Sequence, residues 1–237
     1  MSQVAPMVPV DARPSPILID PRETAILVVD MQQGFFGLGG GWDRAGVDIV
    51  GAQAILGPLA RTLAVARVAG LPVVYLTADF APSAGNPRLW DAARGERWMA
   101  LAGAAGGAKH GRTLPPGVHE GDILPAVAPR PGETVIVKRR FSGFFETDLH
   151  AQLQERGIGT LVIAGGTTSV CVESTLRDAY FRDYRCLLLS DCTAEPIGHG
   201  LARTNRDATL LMVEVLFGWV TTAEHLIQAL APATLPG

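Results

Sequence analysis

The stretch Thr24–Asp30 reads TAILVVD, an uninterrupted apolar run, rich in β-branched residues, that ends on an acid. A strand with one wet face alternates apolar and polar residues. A strand with no polar side predicts burial on both faces, as in the middle of a parallel sheet. The chain downstream fits that sheet. Asp48–Ala69 carries Leu56, Leu59, Leu63 and Ala66 at three- and four-residue spacing, the stripe of an amphipathic helix, and Gly70 and Pro72 stop it. Further strands are predicted at Pro72–Thr77, Glu133–Lys138, Thr160–Ala164, Cys186–Ser190 and Glu214–Val220. Helical patterns cover Asp148–Arg156, Val172–Arg182 and about Leu201–Leu211. A last helix opens at the capping box Thr221-x-x-Glu224. Strands separated by helices predict an α/β fold: a three-layer, doubly wound sandwich on a mostly parallel six-stranded sheet. Residues 1–237 read as one domain. Residues 1–20, with four prolines, read as a loose N-terminal arm. Residues 80–131 read as a long irregular segment, a lid or a subunit contact.

The chain of 237 residues is 48% hydrophobic and 18% charged, too apolar for a disordered chain. Its net charge of −3 supplies no positive field for a phosphate backbone, so no nucleic-acid partner is expected. No apolar run approaches a membrane span, and the N-terminus has no signal-peptide pattern. Three cysteines without a C-x-x-C pair give no disulfide framework, and a cytoplasmic location is expected. Dinucleotide and Walker-type glycine motifs are missing.

In open α/β sheets, ligands bind beyond the carboxyl ends of the strands. Asp30, Lys138 and Cys171 all fall there. Taken singly, each has an ordinary reading. Asp30 is a helix cap or loop anchor, Lys138 belongs with Arg139 and Arg140 to a solvated rim, and a cysteine is a small buried hydrophobe. Cys186, inside CLLL, fits that last reading well. Cys171 differs because it follows the turn Gly165–Ser169 at the start of a helical pattern, where unpaired amides favour a thiolate and can hold an oxyanion. A thiol nucleophile needs a group that takes its proton and later returns it. A buried Asp30 suits that role, with Lys138 balancing its charge.

These residues lie in motifs with a family resemblance. DMQQGF (Asp30–Phe35), the strand-end Lys138 and GGTTSVCVESTLRDA (Gly165–Ala179) resemble the isochorismatase-like cysteine hydrolases. GGGWDRAGVD (Gly39–Asp48), RFSGFFETDL (Arg140–Leu149), CVESTLRD (Cys171–Asp178) and FGWV (Phe217–Val220) resemble the ureidoacrylate amidohydrolase branch, and GETVIVK (Gly132–Lys138) resembles biuret hydrolase. The resemblance implies a catalytic triad of Asp30, Lys138 and Cys171. It also implies a cis peptide at Gly166–Thr167 and an oxyanion hole from the amides of Thr167 and Cys171. The expected activity is hydrolysis of a linear C–N bond in a small amide or ureido compound, through a thioester and with ammonia release. Gln32, Phe35, Trp42, Arg140, Phe144 and Phe145 are candidate substrate contacts. Phe36 joins the aromatics as a wall of a planar pocket, and Arg140 is a clamp for a substrate carboxylate. A homo-oligomer, dimer or tetramer, is also implied.

Two departures from the family matter. TADFAPSAGN (Thr77–Asn86) has no histidine where nicotinamidases hold a metal, and the five histidines show no ligand spacing, so neither metal nor cofactor is expected. The family's acid before Phe35 is Gly34 here. Alternative readings are a biuret or N-carbamoyl amino acid amidohydrolase, a thiol-independent vinyl-ether hydrolase of the isochorismatase type, and a non-catalytic interaction protein docking through residues 80–131.

Overall fold

The computed structural model describes residues 7–79, 111–197 and 204–231. Its centre is a six-stranded sheet in the order β5-β4-β3-β6-β7-β8. The strands are β3 (Thr24–Val29), β4 (Val73–Ala78), β5 (Thr134–Lys138), β6 (Thr160–Gly166), β7 (Arg185–Ala194) and β8 (Trp219–Thr221). All five pairings are parallel. The chain winds outward from β3 to β5, then returns to β6 and winds the other way. The switch point therefore lies between β3 and β6, where such sheets open a crevice at their carboxyl ends.

Every residue of β3 is buried, and its side chains divide by parity. Ile26 and Val28 enter one core with Leu59, Leu63 and Ala66 of a helix spanning Leu56–Val68 and Leu226 and Leu230 of the C-terminal helix Ala223–Leu230. Ala25, Leu27 and Val29 enter the other, with Leu149 and Leu153 of Leu149–Glu155 and Leu176 and Ala179 of Glu173–Tyr180. These two cores make the three layers.

Several expectations are corrected in detail. Residues 8–19 are not a loose arm. They form an antiparallel hairpin, β1 (Val8–Val10) with β2 (Ile17–Ile19). Val10, Ile17 and Ile19 are buried, each contributing about 1.5–3 kcal/mol. Arg13 then exchanges backbone hydrogen bonds with Val220, covering the β8 edge. The period-two apolar positions on both sides of the prolines carry this hairpin. The helix expected over 48–69 is two, Val50–Ala54 and Leu56–Val68. The strand expected at Glu214–Val220 begins only at Trp219. Val213–Phe217 is instead a π-helical turn that continues the helix Asn205–Met212. The last helix is capped by Thr222, whose hydroxyl accepts the His225 amide, rather than by Thr221. Most of the irregular 80–131 segment lies outside the described residues, and its described part holds one short 3-10 turn, Pro125–Val127.

Candidate active site

Asp30 leaves β3 with φ of 50°, in the left-handed region, and its amide donates to the Leu76 carbonyl of β4 (2.8 Å). Few residues tolerate that conformation, and Asp is among those that do. The turn throws the carboxylate under the sheet edge, where Asp30 is 2% exposed. Lys138, two strands away at the end of β5, is completely buried, with its Nζ 2.7 Å from Asp30 Oδ2. The same ammonium donates to the Arg140 carbonyl (3.3 Å). Lys138 is thus not part of the solvated Arg139–Arg140 rim. The β-strand alternation that exposes Val137 turns Lys138 inward.

On the other side of the switch point, β6 runs through Gly165 and Gly166. Gly165 has φ of 114°, and an added Cβ would run into the Val29 carbonyl oxygen, so the position takes only glycine. The Gly166–Thr167 peptide is cis. A π-helical turn, Thr168–Val172, follows and leads into Glu173–Tyr180. The Thr167 carbonyl accepts the amides of Val170 (3.1 Å) and Val172 (3.2 Å), while the Cys171 amide between them takes no part. No acceptor for the Thr167 amide is found among the described residues. Cys171 is 5% exposed, and its thiol lies within electrostatic reach of both the Asp30 carboxylate and the Lys138 ammonium.

The three groups tune one another. Burial pushes the Asp30 carboxyl above the ordinary carboxylate range, against the pull of Lys138. Burial is the largest single influence on Lys138 and opposes its charge, but Asp30 and Cys171 together outweigh it and the net direction is upward, so the ammonium persists. Burial first, and then the Asp30 charge, raise the Cys171 thiol well above its usual value. This corrects the expectation of a resting thiolate at a helix start. The resting thiol keeps its proton and faces a carboxylate whose raised basicity suits it to accept that proton. Cys186 and Cys192 are buried structural thiols, each pushed up to about 12 by burial.

Sequence reasoning missed the residues that hold this constellation. The Thr175 hydroxyl donates to the Cys171 carbonyl (2.7 Å) and accepts the Gly143 amide (3.0 Å), joining the helix after Cys171 to the loop after β5. Thr168 Oγ1 meets Thr193 Oγ1 at 2.8 Å, and Glu195 accepts the Ser169 amide at 2.8 Å. Thr175, four residues after Cys171 on the same helix face, was the readable signal among them.

The candidate substrate contacts divide. Phe35 and Phe36 pack on Trp42, with ring centroids 4.7 and 5.3 Å away, against the first core. Phe144 does not join them. It is buried in the second core beside Tyr184 and under the Arg182 guanidinium. Phe145 is 46% exposed, with the Arg140 guanidinium 5.8 Å from its ring centre. Five aromatics around one planar pocket are therefore not found. Gln32 is also committed elsewhere: its side chain accepts the Ala78 amide (2.7 Å) and donates to the Ala78 and Gly121 carbonyls. It ties β4 to the 119–124 stretch and leaves no amide proton for a substrate. At Gly34, Glu120 brings a carboxylate from outside the motif, with Oε2 2.6 Å from where a Cβ would stand. Glu120 bonds the Gly41 amide and Arg44 (2.9 and 2.7 Å), so a side chain at residue 34 would displace it. Among the described residues no group of three His, Cys, Asp or Glu side chains is arranged to hold a metal ion.

Comparison with known proteins adds relatives to this geometry. The isochorismatase domain model matches residues 24–225. A ureidoacrylate amidohydrolase (RutB) of Variovorax paradoxus is 38% identical over 94% of this chain and 87% of its own length. One of Agrobacterium fabrum is 37% identical over 94% of this chain and 98% of its own. The crystal structure of a cysteine hydrolase from Pseudomonas syringae pv. phaseolicola superposes with a TM-score of 0.70 at 26% identity, covering 97% of this chain and 98% of that one.

Proposed function

The chain belongs to the isochorismatase family, and from that premise we propose that it is a cysteine-dependent amidohydrolase cleaving a linear C–N bond in a ureidoacrylate-like acid. The observation that carries this reading is the buried Asp30–Lys138 ion pair with the Cys171 thiol against it, at the switch point of the sheet. The family and the names of the relatives support hydrolysis of an amide C–N bond. The relatives' substrate is the reason for placing a ureidoacrylate-like acid first.

In this scheme Asp30 takes the Cys171 proton as the sulfur attacks the carbonyl carbon. The free amide of Thr167, with that of Cys171, receives the oxyanion. Collapse breaks the C–N bond while Asp30 returns the proton to nitrogen, which leaves as ammonia. The acyl group stays on sulfur as a thioester, or as a thiocarbamate where the carbonyl is ureido. Water, deprotonated by Asp30, then attacks that carbonyl and restores the thiol. Lys138 keeps the carboxylate–sulfur pair neutralised throughout and never needs to lose its proton. In this reading Arg140 is the cation that receives a substrate carboxylate. Removing such a charge-assisted contact is expected to raise KM about 10- to 100-fold for the acid and to leave its amide unaffected. Equal effects of Arg140→Ala on acid and amide would retire the clamp.

The substrate test is ammonia release from ureidoacrylate, biuret, N-carbamoyl amino acids, nicotinamide and maleamate, with and without chelator. The reading predicts chelator-insensitive release, fastest from ureidoacrylate. Preference for biuret or an N-carbamoyl amino acid would redirect the substrate within the same chemistry. Silence across the panel would contradict the amidohydrolase reading.

A further inference from the structure

The strand β7 is longer than its sequence pattern, and the extra length reaches the nucleophile. Its pairing with β6 runs in register from Thr160↔Arg185 to Ile163↔Leu188, then resumes at Gly165↔Thr193 and Gly166↔Ala194. Two steps along β6 are matched by five along β7, so three extra residues bulge out between the two paired stretches. Bulges of this kind re-aim the residues beyond them. Here they deliver Thr193, Ala194 and Glu195 alongside the turn that carries Cys171.

Two contacts follow. Thr193 Oγ1 meets Thr168 Oγ1, both side chains buried. Glu195, just past the strand, uses both carboxylate oxygens: Oε2 accepts the Ser169 amide (2.8 Å) and Oε1 accepts the Ile197 amide (2.9 Å). The second bond fixes the carboxylate to its own loop, and the first fixes the turn to the carboxylate. Glu173 acts electrostatically on it, and Glu173 is itself held by Arg177 and by the Thr209 hydroxyl. Glu195 touches neither the thiol nor Asp30. Its bond lies on the Ser169 amide, between Thr167 and Cys171 in the turn.

We propose that Glu195 is a positioning residue for the reaction: by holding the Ser169 amide it sets the orientation of the 167–171 turn, and so aims the Thr167 and Cys171 amides at the developing oxyanion. The inference rests on the amidohydrolase reading above and adds a residue to it. Because an oxyanion exists only during reaction, loss of this hold lowers kcat and leaves substrate binding in place.

The test compares wild type, Glu195→Ala and Glu195→Gln by steady-state ammonia release and by amide hydrogen exchange. The alanine variant should lose about 10- to 100-fold in kcat, the scale of a small misplacement in an active site, with KM little changed. Glutamine keeps one acceptor oxygen and should fall less, which also guards against an alanine variant that fails to fold. Exchange should speed up at Ser169 and its neighbours while β3 and β6 keep their protection. Unchanged kcat, a rise in KM alone, or loss of protection throughout the molecule would each overturn the proposal. If wild type releases no ammonia from any panel compound, the amidohydrolase reading fails, and exchange at Ser169 in a folded Glu195→Ala still decides the positioning. Faster local exchange supports it, and unchanged exchange overturns it.

Discussion

At the scale of single residues, the site is a set of mutual pKa effects. Asp30 must be ionised to take the thiol proton, so activity falls as pH falls through its pKa. Because burial raises that pKa, the acid limb of kcat/KM is expected above the ordinary aspartate value of about 3.9. A limb at or below that value, in a pH profile of ammonia release, would contradict the assignment. Lys138 sits in the same balance. Removing one partner of a buried ion pair leaves an uncompensated charge, so Lys138→Ala should lose about 3–5 kcal/mol of stability in denaturant unfolding, along with activity. The identities of Asp30, Lys138 and Cys171 were legible because each ends a strand or follows its turn. The burial of Lys138 was not, since Lys138-Arg139-Arg140 has the composition of a wet rim. Only the inward turn at the end of β5 separates the lysine from its neighbours.

At the scale of elements, the β6 end and the turn after it carry the design. Gly165 has both a positive φ and the Val29 carbonyl where a Cβ would stand, so Gly165→Ala is expected to cost about 3 kcal/mol and to abolish activity. Unfolding and turnover assays check both, and an alanine variant of wild-type stability would contradict this account of the close approach. The strand cores of β3 to β6 were readable to within a residue or two from apolar runs alone. The bulged extension of β7 was not, because DCTAE after CLLLS lacks apolar continuity and is paired only through β6. Glu214–Val220 misled in the opposite direction. Its β-branched and aromatic residues resemble a strand, but helix hydrogen bonding carries through to Phe217. Trp219 then starts the strand after Gly218, whose Cβ would meet the Cys186 carbonyl.

At the scale of the whole molecule, topology explains why distant motifs meet. Asp30 and Cys171 follow the two strands beside the switch point, and Lys138 ends the outermost strand on one side. The hairpin at residues 8–19 escaped the sequence reading because its prolines outweighed two short alternations. On the surface, Phe181, Leu211, Val215 and Leu216 are each more than half exposed, beside a groove of about 600 Å³ lined by Tyr180, Phe217 and Trp219. Asp183, Arg185 and Glu214 line it too, giving both signs of charge, as a self-complementary two-fold contact needs. The homo-oligomer that the family resemblance implies is still an expectation, and this face is the surface on which it would be tested. Sedimentation should find wild type at a multiple of 25.0 kDa and Leu216→Glu as a monomer. A monomeric wild type would contradict it.

Turnover of ureidoacrylate by Cys171→Ala, followed as ammonia release beside wild type, tests most directly whether Cys171 is the nucleophile. Without the sulfur there is no covalent route, and the rate should fall by at least about 10⁴-fold. A variant that keeps a rate near wild type would contradict the mechanism, whatever the substrate.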